Sequence, residues 1–253
     1  MSLFPREVPI LLRKEWRQIL RSPNAVATSL LLPLLLLIGA PLLVRFAGTA
    51  SGSVPIPKGT LPTFLPGLLE LSGDLQHALP RFLMPFMVGL TGVVVPSVAG
   101  AYTLVAERES RTIELLVALP VRIGQVLVAK LCAILLLACA VTMPLLLLST
   151  LVMVSAGTFT WSFGFALLAE LLGALAYSTS SALLVSLLAR DYRAAQNVLG
   201  ALLTPSILVV PLVLIAAPGG LAKIVALGLL YAAVAAILGA ISVRVVTFER
   251  LLR

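Results

Sequence analysis

The densest group of charged side chains inside this sequence is Glu107-Arg108-Glu109-Ser110-Arg111-Thr112-Ile113-Glu114, which runs on into Leu115-Leu116-Val117-Ala118-Leu119-Pro120. Thr112 is placed to cap a helix start, Glu114 falls in the first turn where the helix dipole favours an anion, and Pro120 ends the element. At about 100° per residue, Ile113, Leu116 and Val117 share one face, with Leu115 and Leu119 at its edge. A helix continued back through Glu107 puts Glu107, Arg111 and Glu114 on a polar stripe with favourable i,i+4 and i,i+3 charge spacings. Such an element is expected to lie on a membrane surface and to offer its charged side to something in the cytoplasm; a solvated turn between two hairpin helices is the other reading of the same residues.

Elsewhere the chemistry thins out. Ten carboxylates, one histidine and two cysteines serve the whole chain. His77 stands alone, so no His/Cys cluster has metal-ligand spacing. Cys132 and Cys139 lie seven residues apart in one apolar run; that is about 10 Å of helical rise, too far for a disulfide, and both read as core filler. There is no GxxxxGK[ST] phosphate loop, no HExxH and no GxSxG elbow. The sequence therefore shows no means of binding ATP and no nucleophilic constellation. Glu170 is the one carboxylate inside an apolar run, where charge is costly and often functional. Three roles stay open to it: a structural hydrogen bond, a protonated carboxyl, or a place in a substrate pathway. It is the sole candidate for proton coupling, and a proton-driven carrier ordinarily has more buried ionisable groups.

The elements that hold these residues are membrane spans. Sixty per cent of the residues are hydrophobic, 11% are charged and the mean hydropathy is +1.12, against about 25% charged in a soluble domain. The expected fold is an all-α polytopic membrane protein forming one domain over 1–253, with spans at 25–44, 82–106, 126–154, 163–189, 194–216 and 221–246. Each is long enough for a hydrocarbon core of about 30 Å. Ahead of them, Val8, Leu12, Trp16 and Ile19 recur at helical spacing opposite Arg13, Lys14, Arg17 and Arg21. That pattern predicts an amphipathic interface helix over 5–22, closed by Ser22-Pro23.

The loop 46–81 is rich in proline and leucine, with a short surface helix expected near 67–79. Pro85 and Pro96 should bend the second span, and Pro205 and Pro211 the fifth. Lys130 is placed to snorkel from the start of the third, and Trp161 to anchor at an interface. Gly228, Ala232, Ala236 and Ala240 form a small-residue stripe suited to close packing.

The net charge of +8 would suggest nucleic acid in a soluble protein. Here it reports orientation. With alternating spans and a cytoplasmic N-terminus, only Arg45, Lys58, Arg81 and Lys223 fall outside, and the other 14 of the 18 basic residues fall inside. The positive-inside rule then places both termini and the 107–122 loop in the cytoplasm, with the chain in the cytoplasmic membrane and no role for nucleic acid.

The run from Glu107 to Leu116, then Leu119-Pro120-Val121 and Lys130, resembles the segment between the second and third spans of ABC-2 type transporter permeases. That family has a glutamate-rich stretch, a Thr-x-Glu-x-Leu core, a small-residue-Pro pair and a lysine in the next span. The basic N-terminal helix, six spans and length agree, so the resemblance covers nearly the whole chain. Ser110-Arg111 departs from it where glycine is common, and the connection between spans five and six is shorter than in many relatives.

The resemblance implies a permease working with two separate ATPase subunits, which would bind the ATP and Mg, and with a second permease, identical or a paralogue. It implies that 107–122 is the coupling helix, with Glu107, Arg108, Glu109, Arg111, Thr112, Glu114, Leu115, Leu116 and Pro120 as the ATPase-coupling residues. Similarity also puts spans two and five along the substrate route, which makes Tyr102, Asn197 and Thr204 candidates beside Glu170. Interhelical hydrogen bonding is the competing role for the first three. The expected function is the membrane subunit of an ATP-driven exporter for a lipophilic compound, a peptide or an ion. The alternative is a secondary transporter or channel working alone. A scaffold or an intramembrane enzyme is a third class, and the missing catalytic constellation argues against the enzyme.

Overall fold

A computed structural model describes residues 30–39, 41–42, 75–109, 123–188 and 192–245. We label the helices α1 (30–39, with a π-helical middle at Leu34–Ile38), α2 (Leu75–Glu109), α3 (Ile123–Ser155), α4 (Trp161–Leu188), α5 (Tyr192–Ala216) and α6 (Leu221–Val245). In hydrocarbon every backbone amide must find its partner within the segment, and long apolar runs meet that demand as helices. Among the described residues, α2 to α6 are long and apolar enough to cross a membrane.

The α3–α4 connection turns through Gly157 at φ +71°, and the α5–α6 connection through Gly219 and Gly220 at φ +124° and +51°. Backbone of that kind suits glycine. Pro218-Gly219-Gly220 is thus the short turn that the sequence predicts.

At the centre of the fold stands α4. Some 72% of its span is buried, against 22% for α5 and 28% for α6, and it packs on α2, α3, α5 and α6. Its tightest neighbour is α6. A Cβ on Gly228 would lie 2.5 Å from the Ala169 carbonyl oxygen, and one on Gly173 would run into the Gly228 backbone. The two main chains touch there because neither helix carries a side chain at the crossing. Around this contact Leu167, Leu171, Leu175, Ile224 and Leu227 are fully enclosed. The outer faces of α3, α5 and α6 carry exposed Leu147, Leu151, Leu208, Leu212, Leu229 and Ile237. On a soluble protein such a surface would aggregate; here it is the face that lipid or another membrane subunit covers.

Three serines and a tyrosine steady the proline-containing helices. The Ser178 hydroxyl of α4 donates to the Val93 carbonyl of α2, close to Pro96. The Tyr231 hydroxyl of α6 donates to the Ser206 carbonyl of α5 at 2.6 Å, between Pro205 and Pro211. Ser97 donates to Val94 and Ser206 to Leu203 within their own helices, both at 2.6 Å.

Three expectations change. Helix α2 begins at Leu75, so Pro80 and Arg81 belong to it rather than to the preceding loop, and 75–79 continue the span instead of forming a separate surface helix. Lys130 does not snorkel: it is 1% exposed and engaged inside the protein, because it shares the packed face of α3 with Ala133, Ile134 and Leu137. Of the small-residue stripe only Gly228 is packed, while Ala232, Ala236 and Ala240 are exposed. A strict four-residue spacing drifts by about 40° per step at about 3.6 residues per turn, which carries the stripe off the interface. The packed stripe is Ile224, Leu227, Gly228, Tyr231 and Ala235. The interface helix over 5–22 lies outside the described residues, as do 25–29 and 43–44 at the ends of the expected first span.

Replacing Gly173 with alanine should cost about 1–3 kcal/mol through overpacking. Gly239→Ala, where nothing lies within 4 Å of the added methyl, should be neutral or better. Thermal unfolding of the two purified variants in detergent checks this contrast.

Candidate functional site

The buried carboxyl of the described core, with three neighbouring hydroxyl-bearing side chains, lies on one side of α4. Glu170, Tyr177, Ser178 and Ser181 recur at i, i+7, i+8 and i+11, all buried. This spacing keeps them on one helical face and makes a polar seam along α4. Opposite the seam, α2 presents Gly89 and Gly92, where side chains would collide with Val210 and Ala174. Those glycines let α2 approach closely enough to seal the seam.

Glu170 is 0% exposed, and neither carboxyl oxygen has a hydrogen-bond partner. Its Oε1 lies 3.1 Å from where a Gly89 Cβ would stand, and Val210 of α5 closes the same space at 2.8 Å. Gly228 of α6 lies against the Glu170 backbone, whose nitrogen is 2.8 Å from where a Gly228 Cβ would stand, and Tyr231 of the same helix packs its ring against Tyr177 with centroids 5.4 Å apart. Four helices therefore converge on Glu170. Of the three roles open to it, the structural hydrogen bond is unsupported. An unpaired buried charge costs several kcal/mol, so the position is expensive to maintain. Ser181 Oγ, on the same face, and Ser149 Oγ on α3 are likewise without partners.

The other pathway candidates do not join Glu170. Asn197 and Thr204 lie on the exposed side of α5, and the Thr204 hydroxyl donates to its own helix at Gly200, 2.7 Å away. Thr204 and Val210 are six residues apart, about 240° around the helix, so the open and packed sides of α5 face in different directions. Tyr102 is within α2, but its side chain is outside the described residues.

Glu107, Arg108 and Glu109 form the last turn of α2, continuous with the span; their side chains, and all of Arg111, Thr112, Glu114, Leu115, Leu116 and Pro120, fall outside the described residues. So do Arg13, Lys14, Trp16, Arg17 and Arg21. Among the described residues no group of three or more His, Cys, Asp or Glu could hold a metal.

Ser178, Tyr231 and Gly89 were not singled out from the sequence. The signal for the first was present, since Ser178-Thr179-Ser180-Ser181 is a dense hydroxyl run in the middle of an apolar helix.

The ABC-2 family transporter protein model matches residues 10–226, most of the chain. The chain belongs to that family. No individually curated protein matches it. Membership makes this an ABC transporter permease, a multi-pass membrane protein whose family associates with ABC ATPases.

Because the Glu170 carboxyl has no partner to lose, Glu170→Met should leave thermal stability in detergent unchanged or raise it by about 1–3 kcal/mol. A clear loss of stability would reveal a bonding partner in the folded protein. Measured beside it, Tyr231→Phe should cost about 1 kcal/mol or more, since it strands the Ser206 carbonyl's second bond.

Proposed function

We propose that this chain is the membrane subunit of an ATP-driven exporter in the cytoplasmic membrane, with six spans and both termini in the cytoplasm. Two separate ATPase subunits bind ATP and Mg and perform the hydrolysis, and a second permease, identical or a paralogue, completes the transport unit. The chain itself hydrolyses nothing.

The observation that carries this reading, beside the family match, is the length of α2. Its 35 residues make a rod of about 50 Å at about 1.5 Å per residue, against a hydrocarbon core of about 30 Å. One continuous helix therefore brings Glu107–Glu109 clear of the membrane. A movement imposed on that end reaches the Gly89 and Gly92 contacts with α4 along the same helix, past Pro96. In this reading residues 107–122 form the coupling helix seated on the ATPase, and the 5–22 helix lies beside it at the interface.

The open side of α5, with Asn197, Gly200, Thr204 and Leu208 exposed, supports a second permease. Polar and small side chains aligned on one face of a span fit a helix partner or an aqueous route better than lipid. A stand-alone secondary transporter is favoured by one observation, the unpartnered carboxyl of Glu170. Uphill transport by the chain in ATPase-free liposomes is its test.

Glu109→Lys and Glu114→Lys should each insert normally into membranes yet lose ATPase association or ATP-coupled transport by about tenfold or more, a shift of about 1.4 kcal/mol in coupling. Co-purification of the ATPase with each variant, scored against the amount inserted, measures it. Full coupling in both variants would count against the assignment.

A further inference from the structure

At the end of the bundle where α2, α4 and α6 begin, a cavity of about 460 Å³ lies outside the polar seam. Its volume is in the range of small-molecule sites. Phe82, Phe159 and Phe163 form an apolar wall, the last two with ring centroids 4.4 Å apart. Two cations, Arg81 and Lys223, also line it, and among the described residues no acidic one does. Lys223 is fixed in place, its Nζ donating to the Leu214 and Ala217 carbonyls at 3.2 and 3.3 Å, at the end of α5. Arg81 is exposed, so the cavity opens to the surface beside its guanidinium.

We propose that this cavity binds the phosphate of an anionic amphiphile, with the oxyanion on Arg81 and Lys223 and the start of the apolar chain against the three phenylalanines. Each part of the site matches one part of that ligand. A guanidinium supplies the planar fork suited to phosphate oxygens. The aromatic wall gains from covering a hydrocarbon chain but gains nothing from inorganic phosphate. The cavity sits where the spans end, the depth at which a phospholipid holds its headgroup. Trp161, 55% exposed one residue beyond the lining Thr160, marks the same interfacial level. The site is independent of the transport reading, since it needs neither the ATPase nor a second permease.

The protein has two tryptophans, so Trp16→Phe leaves Trp161 as the reporter. Full-length protein in nonionic detergent is titrated with phosphatidylglycerol brominated on its acyl chains, and separately with brominated phosphatidylcholine. Selective quenching of Trp161 is expected, with phosphatidylglycerol half-saturating at a concentration at least about tenfold lower. Arg81→Glu, at an exposed position, should abolish that selectivity without changing the gel-filtration profile. Should that variant not fold, Lys223→Gln is read the same way. An alkyl phosphate should relieve the quenching and inorganic phosphate should not. Equal quenching by the two lipids, or selectivity that survives the substitution, overturns the proposal. Relief by inorganic phosphate alone identifies a free-phosphate site and overturns the amphiphile.

Discussion

The bundle depends on the contact between the main chains of α4 and α6 at Gly173 and Gly228. Lipid tails are as apolar as leucine, so hydrophobicity alone does not draw these helices together. Close packing does, and it is available only where no side chain intervenes. With α6 seated, α4 is held along one side, and its other sides remain for α2, α3 and α5. The polar seam of Glu170, Tyr177, Ser178 and Ser181 follows from this arrangement. Helix α4 is the span most enclosed by protein, and hence the place where a carboxyl and a row of hydroxyls are shielded from hydrocarbon.

Flexibility is distributed differently. Helix α4 contains no proline and α6 none. By contrast α2 has Pro80, Pro85 and Pro96, and α5 has Pro205 and Pro211. The pair α4/α6 is thus flanked by two helices that can bend, α2 tied to it through the Ser178 hydroxyl and α5 through Tyr231 and Lys223, each donating to a backbone carbonyl. Glu170 lies where α2 and α5 meet that pair, against Gly89 and Val210. Displacement of either of these helices changes the surroundings of that carboxyl. This links packing to the proposed work of the permease: a push at the Glu107–Glu109 end is felt at the seam.

Much of the fold was legible because the bilayer imposes it. Uncharged runs of spanning length mark the helices, and Pro218-Gly219-Gly220 marks a turn in advance. The start of α2 was not legible, since Pro80 and Arg81 read equally well as loop and as the end of a helix that projects beyond the hydrocarbon. Nor was the division of each span into protein-facing and lipid-facing sides. Both sides are apolar, so the amphipathic signal that orients a soluble helix is absent. That is why the Gly228 stripe pointed partly the wrong way and why Lys130 was expected at the surface. Glu170 could be singled out as a lone carboxylate in an apolar run, but its setting could not. Gly89, Val210 and Gly228 come from three other helices, and nothing local to residue 170 specifies them.

The central claim is that the two ends of this bundle have different tasks: the end near residue 112 is seized by a cytoplasmic ATPase, and the end at the α5–α6 turn faces outward. Accessibility of single cysteines to a membrane-impermeant thiol reagent tests it most directly. In a chain carrying Cys132→Ala and Cys139→Ala, Pro218→Cys should label in intact cells. Thr112→Cys should label only after the membrane is opened, and ATPase bound to the protein should then shield it. Labelling of position 112 in intact cells, with position 218 silent, would contradict the account.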